Sequence, residues 1–136
     1  MIVLDEQLLG RRIEHDIARW YRGRVQFITD IRPNTVIKDD AIPMLLRQLS
    51  QPTFVTINAR DFWQRVSGDL RYCMVCFALS DARATDIPQT LRVLFRQPEC
   101  RTKARRMGKI IRITSEEISF YTAQTRQTTT VAMEGR

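Results

Sequence analysis

Asp5, Glu6, Asp40, Asn58 and Asp61 are the side chains best placed to do chemistry, because each follows an apolar strand-like run or opens the helix after one. Ile2-Val3-Leu4 runs into Asp5 and Glu6, and Thr53-Phe54-Val55-Thr56-Ile57 runs into Asn58 and Asp61. In an open α/β sheet ligands bind beyond the carboxyl ends of the strands, so acids in those positions face a common crevice. Clustered carboxylates repel unless a cation neutralises them, and hard oxygen donors without Cys or His select Mg²⁺ or Mn²⁺. Such an ion orients a phosphodiester, activates water and stabilises a leaving oxygen.

Charge suggests what the phosphodiester belongs to. The chain has a formal net charge of +7 over 136 residues. Residues 1–95 hold 13 Lys and Arg against 11 Asp and Glu, whereas residues 96–136 hold 9 against 4. Arg101, Lys103, Arg105, Arg106 and Lys109 form the densest run and are expected to contact phosphates of RNA without reading bases. No apolar run approaches the roughly 20 residues of a membrane span, the first residues lack a signal peptide's pattern, and three cysteines suit a reducing compartment. A cytoplasmic protein with no membrane partner is expected.

The elements that must position these residues alternate between strand and helix. After the first strand, Leu9, Ile13, Ile17 and Trp20 recur at helical spacing, predicting a helix from Leu8 to near Gly23 with His15 off the apolar stripe. Residues 25–28 make a second strand. Ile42, Leu45, Leu46 and Leu49 make a helix for which Asp40 is the better N-cap, since Pro43 then falls in the first turn. Residues 72–79 form a further strand, in which Cys73 and Cys76 fall on opposite faces and belong to the core. Residues 85–96 form another helix, and I-P-x-x-L-R-x-L recurs at 42–49 and 87–94, each copy preceded by an Asp and followed by Gln-Pro. Asp86 is therefore expected to cap as Asp40 does. Residues 110–114 and 118–122 make a closing hairpin, and 123–136 a polar, loosely ordered tail. The sum is one α/β domain over residues 1–122, with a mostly parallel sheet, right-handed crossovers and helices on both faces.

The motifs VLDEQL, DDAI and VTINARDF, spread between Ile2 and about Arg96, resemble the small bacterial PIN-like domains related to toxin ribonucleases of the VapC kind. The family's pattern is an Asp-Glu pair after the first strand, an acidic helix start, and T-x-D-x-D-F after the central strand. The resemblance implies a three-layer PIN-like fold with a C-terminal hairpin. It also implies a Mg²⁺- or Mn²⁺-dependent endoribonuclease with Asp5, Asp40 and Asp61 as ligands and catalytic residues, Glu6 assisting, and often an antitoxin partner. A homodimer is compatible with it. Thr56-Ile57-Asn58-Ala59-Arg60-Asp61-Phe62 has one residue more than the family motif and Asn58 in place of an acid. Asn58 can coordinate through its carbonyl but brings no charge, so a catalytically impaired module that binds nucleic acid or a partner protein is the alternative.

Overall fold

Short apolar runs separated by polar turns fold into one seven-stranded sheet in the computed structural model, which describes residues 1–133. The strands are β1 (Ile2–Leu4), β2 (Val25–Phe27), β3 (Thr53–Thr56), β4 (Cys73–Phe77), β5 (Lys109–Ile113), β6 (Glu117–Thr122) and β7 (Thr129–Ala132). They lie in the order β2-β1-β3-β4-β5-β6-β7, parallel as far as β5 and antiparallel beyond it. β1, β3 and β4 are buried along their whole length, which is why their sequences do not alternate: every residue faces a helical layer.

The helices are α1 (Ile13–Ala18), α2 (Ile28–Ile31), α3 (Ile42–Arg47), α4 (Ala59–Phe62), α5 (Ile87–Leu94) and α6 (Lys103–Arg106). On one face Ile13 and Ile17 of α1 and Ile87, Leu91 and Leu94 of α5 pack against Ile2, Leu4, Val55, Val75 and Ile111. On the other, Ile42, Leu45 and Leu46 of α3 and Phe62 of α4 pack against Val3, Phe54, Met74 and Ile110. The two I-P-x-x-L-R-x-L segments thus build helices on opposite faces. Cys73 and Cys76 likewise divide between the two cores and are free thiols.

That arrangement corrects one expectation. The step from β1 to β2 and the step from β4 to β5 run in opposite directions across the sheet, yet α1 and α5 cover the same face. The two crossovers therefore have opposite hands. The steps β2 to β3 and β3 to β4 run the other way from β1 to β2 on the other face, so they share its hand. With the near-universal right-handed rule assigning the three that agree, β4-α5-β5 is a left-handed crossover.

Other differences are local. The helix expected from Leu8 to Gly23 is reduced to α1, because Gly10 (φ 78°) and Arg12 (φ 61°) turn the chain left-handed ahead of it. Leu9, counted in the stripe, is 49% exposed. Asp40 is not the N-cap of α3. A 3₁₀ turn, Asp39–Ala41, leads straight into the helix and satisfies the Ala41 N–H on the Lys38 carbonyl at 2.9 Å, so no side chain caps it. Asp86 stands at the N-cap position of α5 without a cap bond and pairs with Arg83 at 3.0 Å instead. The expected tail contains β7, which pairs antiparallel with β6, although its residues 134–136 lie outside the described ones.

Candidate functional site at the carboxyl edge of the sheet

Parallel pairing of β1 and β3 sets Asp5 beside Thr56. The Asp5 N–H donates to the Val55 carbonyl at 2.9 Å, continuing the ladder one residue past β1, and the Thr56 hydroxyl donates to Asp5 Oδ2 at 2.6 Å. Both residues are buried. The Thr56 oxygen in turn accepts the Asn58 N–H at 2.9 Å, so the turn after β3 is tied to the acid after β1. Burial pushes the Asp5 carboxyl above the usual range, the Thr56 hydrogen bond offsets part of that, and the charge of Asp39 adds to it.

Asn58 is the N-cap of α4. Its Oδ1 accepts the Asp61 N–H at 3.3 Å, which leaves the amide nitrogen to donate to Asp61 Oδ2 at 2.7 Å and to Asp39 Oδ2 at 3.4 Å. A neutral NH₂ group therefore bridges two carboxylates. This departs from the expectation that Asn58 ligates a cation, since its carbonyl is held by the helix start and its donor faces the acids. Desolvation, then the hydrogen bond and charge of Asp61, then the charges of Glu6 and Asp40, push the Asp39 carboxyl upward.

The structure gathers Asp5, Asp39 and Asp61 with Glu6 beside them, and it is Asp39 that meets Asp61 and is felt by Asp5. Asp40 stands next to this group and lines a cleft of about 520 Å³ together with Asp39, Asp61, Arg47 and Arg65. Asp39, placed by the sequence only at the rim, was obscured by its neighbour. The period of α3 pointed to Asp40, while the 3₁₀ turn that rotates Asp39 inward leaves no mark in the apolar spacing. Asp30, the other rim candidate, accepts the Phe27 N–H at 3.1 Å. His15 is exposed and lies 3.4 Å from Glu14.

None of Asp5, Glu6, Asp39, Asp40 and Asp61 makes an ion pair with a described Lys or Arg. By contrast Asp69, Asp81 and Asp86 each do, with Arg71, Arg11 and Arg83. The donor set is all hard oxygen and fits Mg²⁺ or Mn²⁺ in kind and charge. As placed, no three His, Cys, Asp or Glu side chains among the described residues are close enough to hold one ion, and the Asn58 amide stands between Asp39 and Asp61.

The basic run lies at the other end of the sheet. Lys103, Arg106 and Arg24 are the cations that act on the Met1 ammonium, whose pKa burial and their charge lower, and Met1 begins the strand that ends at Asp5. Arg106 is 7% exposed, its guanidinium 4.0 Å from the Phe95 ring centroid and donating to the Cys100 carbonyl at 3.0 Å. It cannot reach a phosphate from there. Arg105 donates to the Pro98 carbonyl at 2.8 Å, and the Lys109 ammonium to the Arg105 carbonyl, leaving Arg101 and Lys103 as the exposed cations of the run that have no side-chain bond.

Comparison of the chain with known families, curated proteins and solved structures finds no match. Among the described residues no helix is long and apolar enough to cross a membrane.

Proposed function

We propose that the carboxyl-edge acids form the active site of a divalent-cation-dependent ribonuclease of PIN-like type, acting on RNA in the cytoplasm. The observation that carries this reading is the gathering of Asp5, Asp39 and Asp61 without a single ion pair in a chain of net charge +7. Uncompensated acids cost stability, and a cation that neutralises them returns it. Asp5, Asp39 and Asp61 would hold the ion, with Glu6 and Asp40 at its margin. When bound, it supplies a Lewis acid for the phosphoryl oxygen and a water of lowered pKa. The chain's own part is positional. Thr56 fixes the orientation of Asp5, the α4 N-terminus fixes Asp61 through Asn58, and the raised pKa values of Asp5 and Asp39 let either carboxyl take a proton from an attacking water. A role as the toxin of a toxin–antitoxin pair rests on the motif resemblance.

A second reading has an observation of its own. The Asn58 amide already holds Asp39 and Asp61 together without charge, which suits a module that binds RNA or a partner protein and does not cut. Incubating the protein with single-stranded RNA and Mg²⁺ or Mn²⁺, alongside thermal shift with each metal, separates the two. Metal-dependent cleavage and a rise in melting temperature support the nuclease. Absence of both on every RNA tried leaves the binding module.

A further inference from the structure

Three arginines absent from the sequence's basic run stand around the acid cluster. Arg60 and Arg65 flank α4, and Arg112 lies near the carboxyl end of β5, paired in register with Cys76. The Cys76 thiol, pushed up chiefly by burial, feels both Asp5 and Arg112, so the two lie at the same end of the sheet. Arg60, Arg65 and Arg112 line a shallow cleft of about 530 Å³ with Ala59, Trp63 and Gln64. This cleft is continuous with the acids. Arg60 and Asp61 also line the cleft that holds Asn58, and Arg65 and Asp61 the one that holds Asp39 and Asp40.

Nothing in the fold uses these cations. No hydrogen bond or ion pair engages the guanidinium of Arg60, Arg65 or Arg112 among the described residues, while Arg11, Arg47, Arg71 and Arg83 each reach an aspartate. The aromatic between them is held rigidly. Trp63 packs on Tyr121 with ring centroids 5.1 Å apart, and the Tyr121 hydroxyl accepts the Gln64 N–H at 3.1 Å and donates to the Val66 carbonyl, pinning the loop that carries Arg65. Gln64 keeps a left-handed φ of 63° there.

We propose that this cleft carries single-stranded RNA away from the acid cluster, with Arg60, Arg65 and Arg112 on phosphates and a base stacked on Trp63. An unpaired strand is the polyanion that fits, because only unstacked bases offer a face to an aromatic side chain, and free guanidinium groups supply the phosphate contacts. The inference takes its substrate from the nuclease reading but concerns binding, which needs no metal, so the two can fail separately.

The test is fluorescence anisotropy with a labelled RNA oligonucleotide in EDTA across a salt series. Arg60→Gln with Arg65→Gln is expected to reduce the slope of log K against log salt by about two, one per lost contact. Trp63→Leu should weaken binding about tenfold at constant slope, with Trp63→Phe restoring most of it. Arg101→Gln with Lys103→Gln should change neither. A wild type that binds no single strand in EDTA, an RNA duplex that binds as tightly as the strand, or a slope that falls only with the Arg101/Lys103 pair would overturn the inference. Binding as expected without cleavage in Mn²⁺ sinks the nuclease reading and leaves the cleft standing. Cleavage that survives unchanged in the Arg60/Arg65 variant does the reverse. A single-stranded DNA arm shows whether the 2′-hydroxyl contributes.

Discussion

At the amino edge of the sheet the cations are largely consumed by the fold: Arg106 lies buried over Phe95, Arg105 holds the Pro98 carbonyl and Lys109 holds the Arg105 carbonyl. At the carboxyl edge Arg60, Arg65 and Arg112 engage no described side chain, and the acids beside them are equally unpaired. Adjacent cations in sequence need not share a surface, because a short helix such as α6 points successive residues in different directions, and one of them faces the core. Cations far apart in sequence come together when a parallel sheet brings the ends of β3 and β5 to one side.

Removing Asp5 should break the carboxyl edge first. Asp5→Asn is expected to lower metal-dependent RNA cleavage by about 10²-fold or more, since it takes a formal charge from the ion's surroundings while the Thr56 hydroxyl still finds an oxygen to donate to. Arg101→Gln with Lys103→Gln, measured in the same assay, should stay within about twofold of wild type. Equal losses in both would erase the distinction between the edges.

Arg106→Ala tests the amino edge as structure. The change removes a cation over an aromatic ring and leaves a space beside Phe95 and a Cys100 carbonyl without its donor. A loss of about 2 kcal/mol in chemical denaturation follows, with RNA affinity of the folded protein unchanged. An affinity loss at unchanged stability would return Arg106 to the phosphate contacts the sequence suggested.

Asn58→Asp sharpens the carboxyl edge. A third carboxylate in place of the bridging amide removes the donor that holds Asp39 and Asp61 together, so the metal-free protein should lose on the order of 1 kcal/mol. Mn²⁺ should bind about tenfold more tightly in thermal-shift titration, because the charge count rises. Tighter binding without a metal-free loss would mean that the amide is not what compensates the pair.

How much of this was legible in the sequence depends on the type of signal. The strands were, because β1, β3 and β4 are unbroken apolar runs, and so was the hairpin of β5 and β6. Asp5 and Asp61 were placed at the correct edge by the same rule. Asp39 was not, because a 3₁₀ turn carries no apolar period, and the hand of β4-α5-β5 was not, because helical patterning says nothing of which face a crossover covers. β7 was missed because its residues are polar and half exposed at the sheet's edge, where pairing rests on backbone bonds and not on burial. Arg60, Arg65 and Arg112 were invisible as a group, since nothing short of the strand order connects them.

The smallest effect to look for is in the pH dependence of the metal-free protein. Asp5 and Asp39 have carboxyl pKa values raised above the ordinary 3.8, so the folded state holds their protons more tightly than the unfolded chain does. Below the unfolded value both states are protonated and the pair costs nothing. As pH rises through the interval between the unfolded and the raised folded values, the unfolded chain ionises first and stability falls, then stays level above it. Asp69 has the opposite sign, its carboxyl held down chiefly by the Arg71 hydrogen bond, so its contribution is present above the ordinary value and is lost as pH falls. Asp39→Asn should therefore raise the melting temperature at pH 7 by about 1 °C, a small gain because Asp39 is exposed and screened, and by nothing at pH 3. Adding Mn²⁺ at pH 7 should raise the wild type above the variant and reverse their order. If the variant is the less stable at pH 7 without metal, the Asn58 bridge outweighs the repulsion it spans, and the acids at the carboxyl edge would need no cation to sit together.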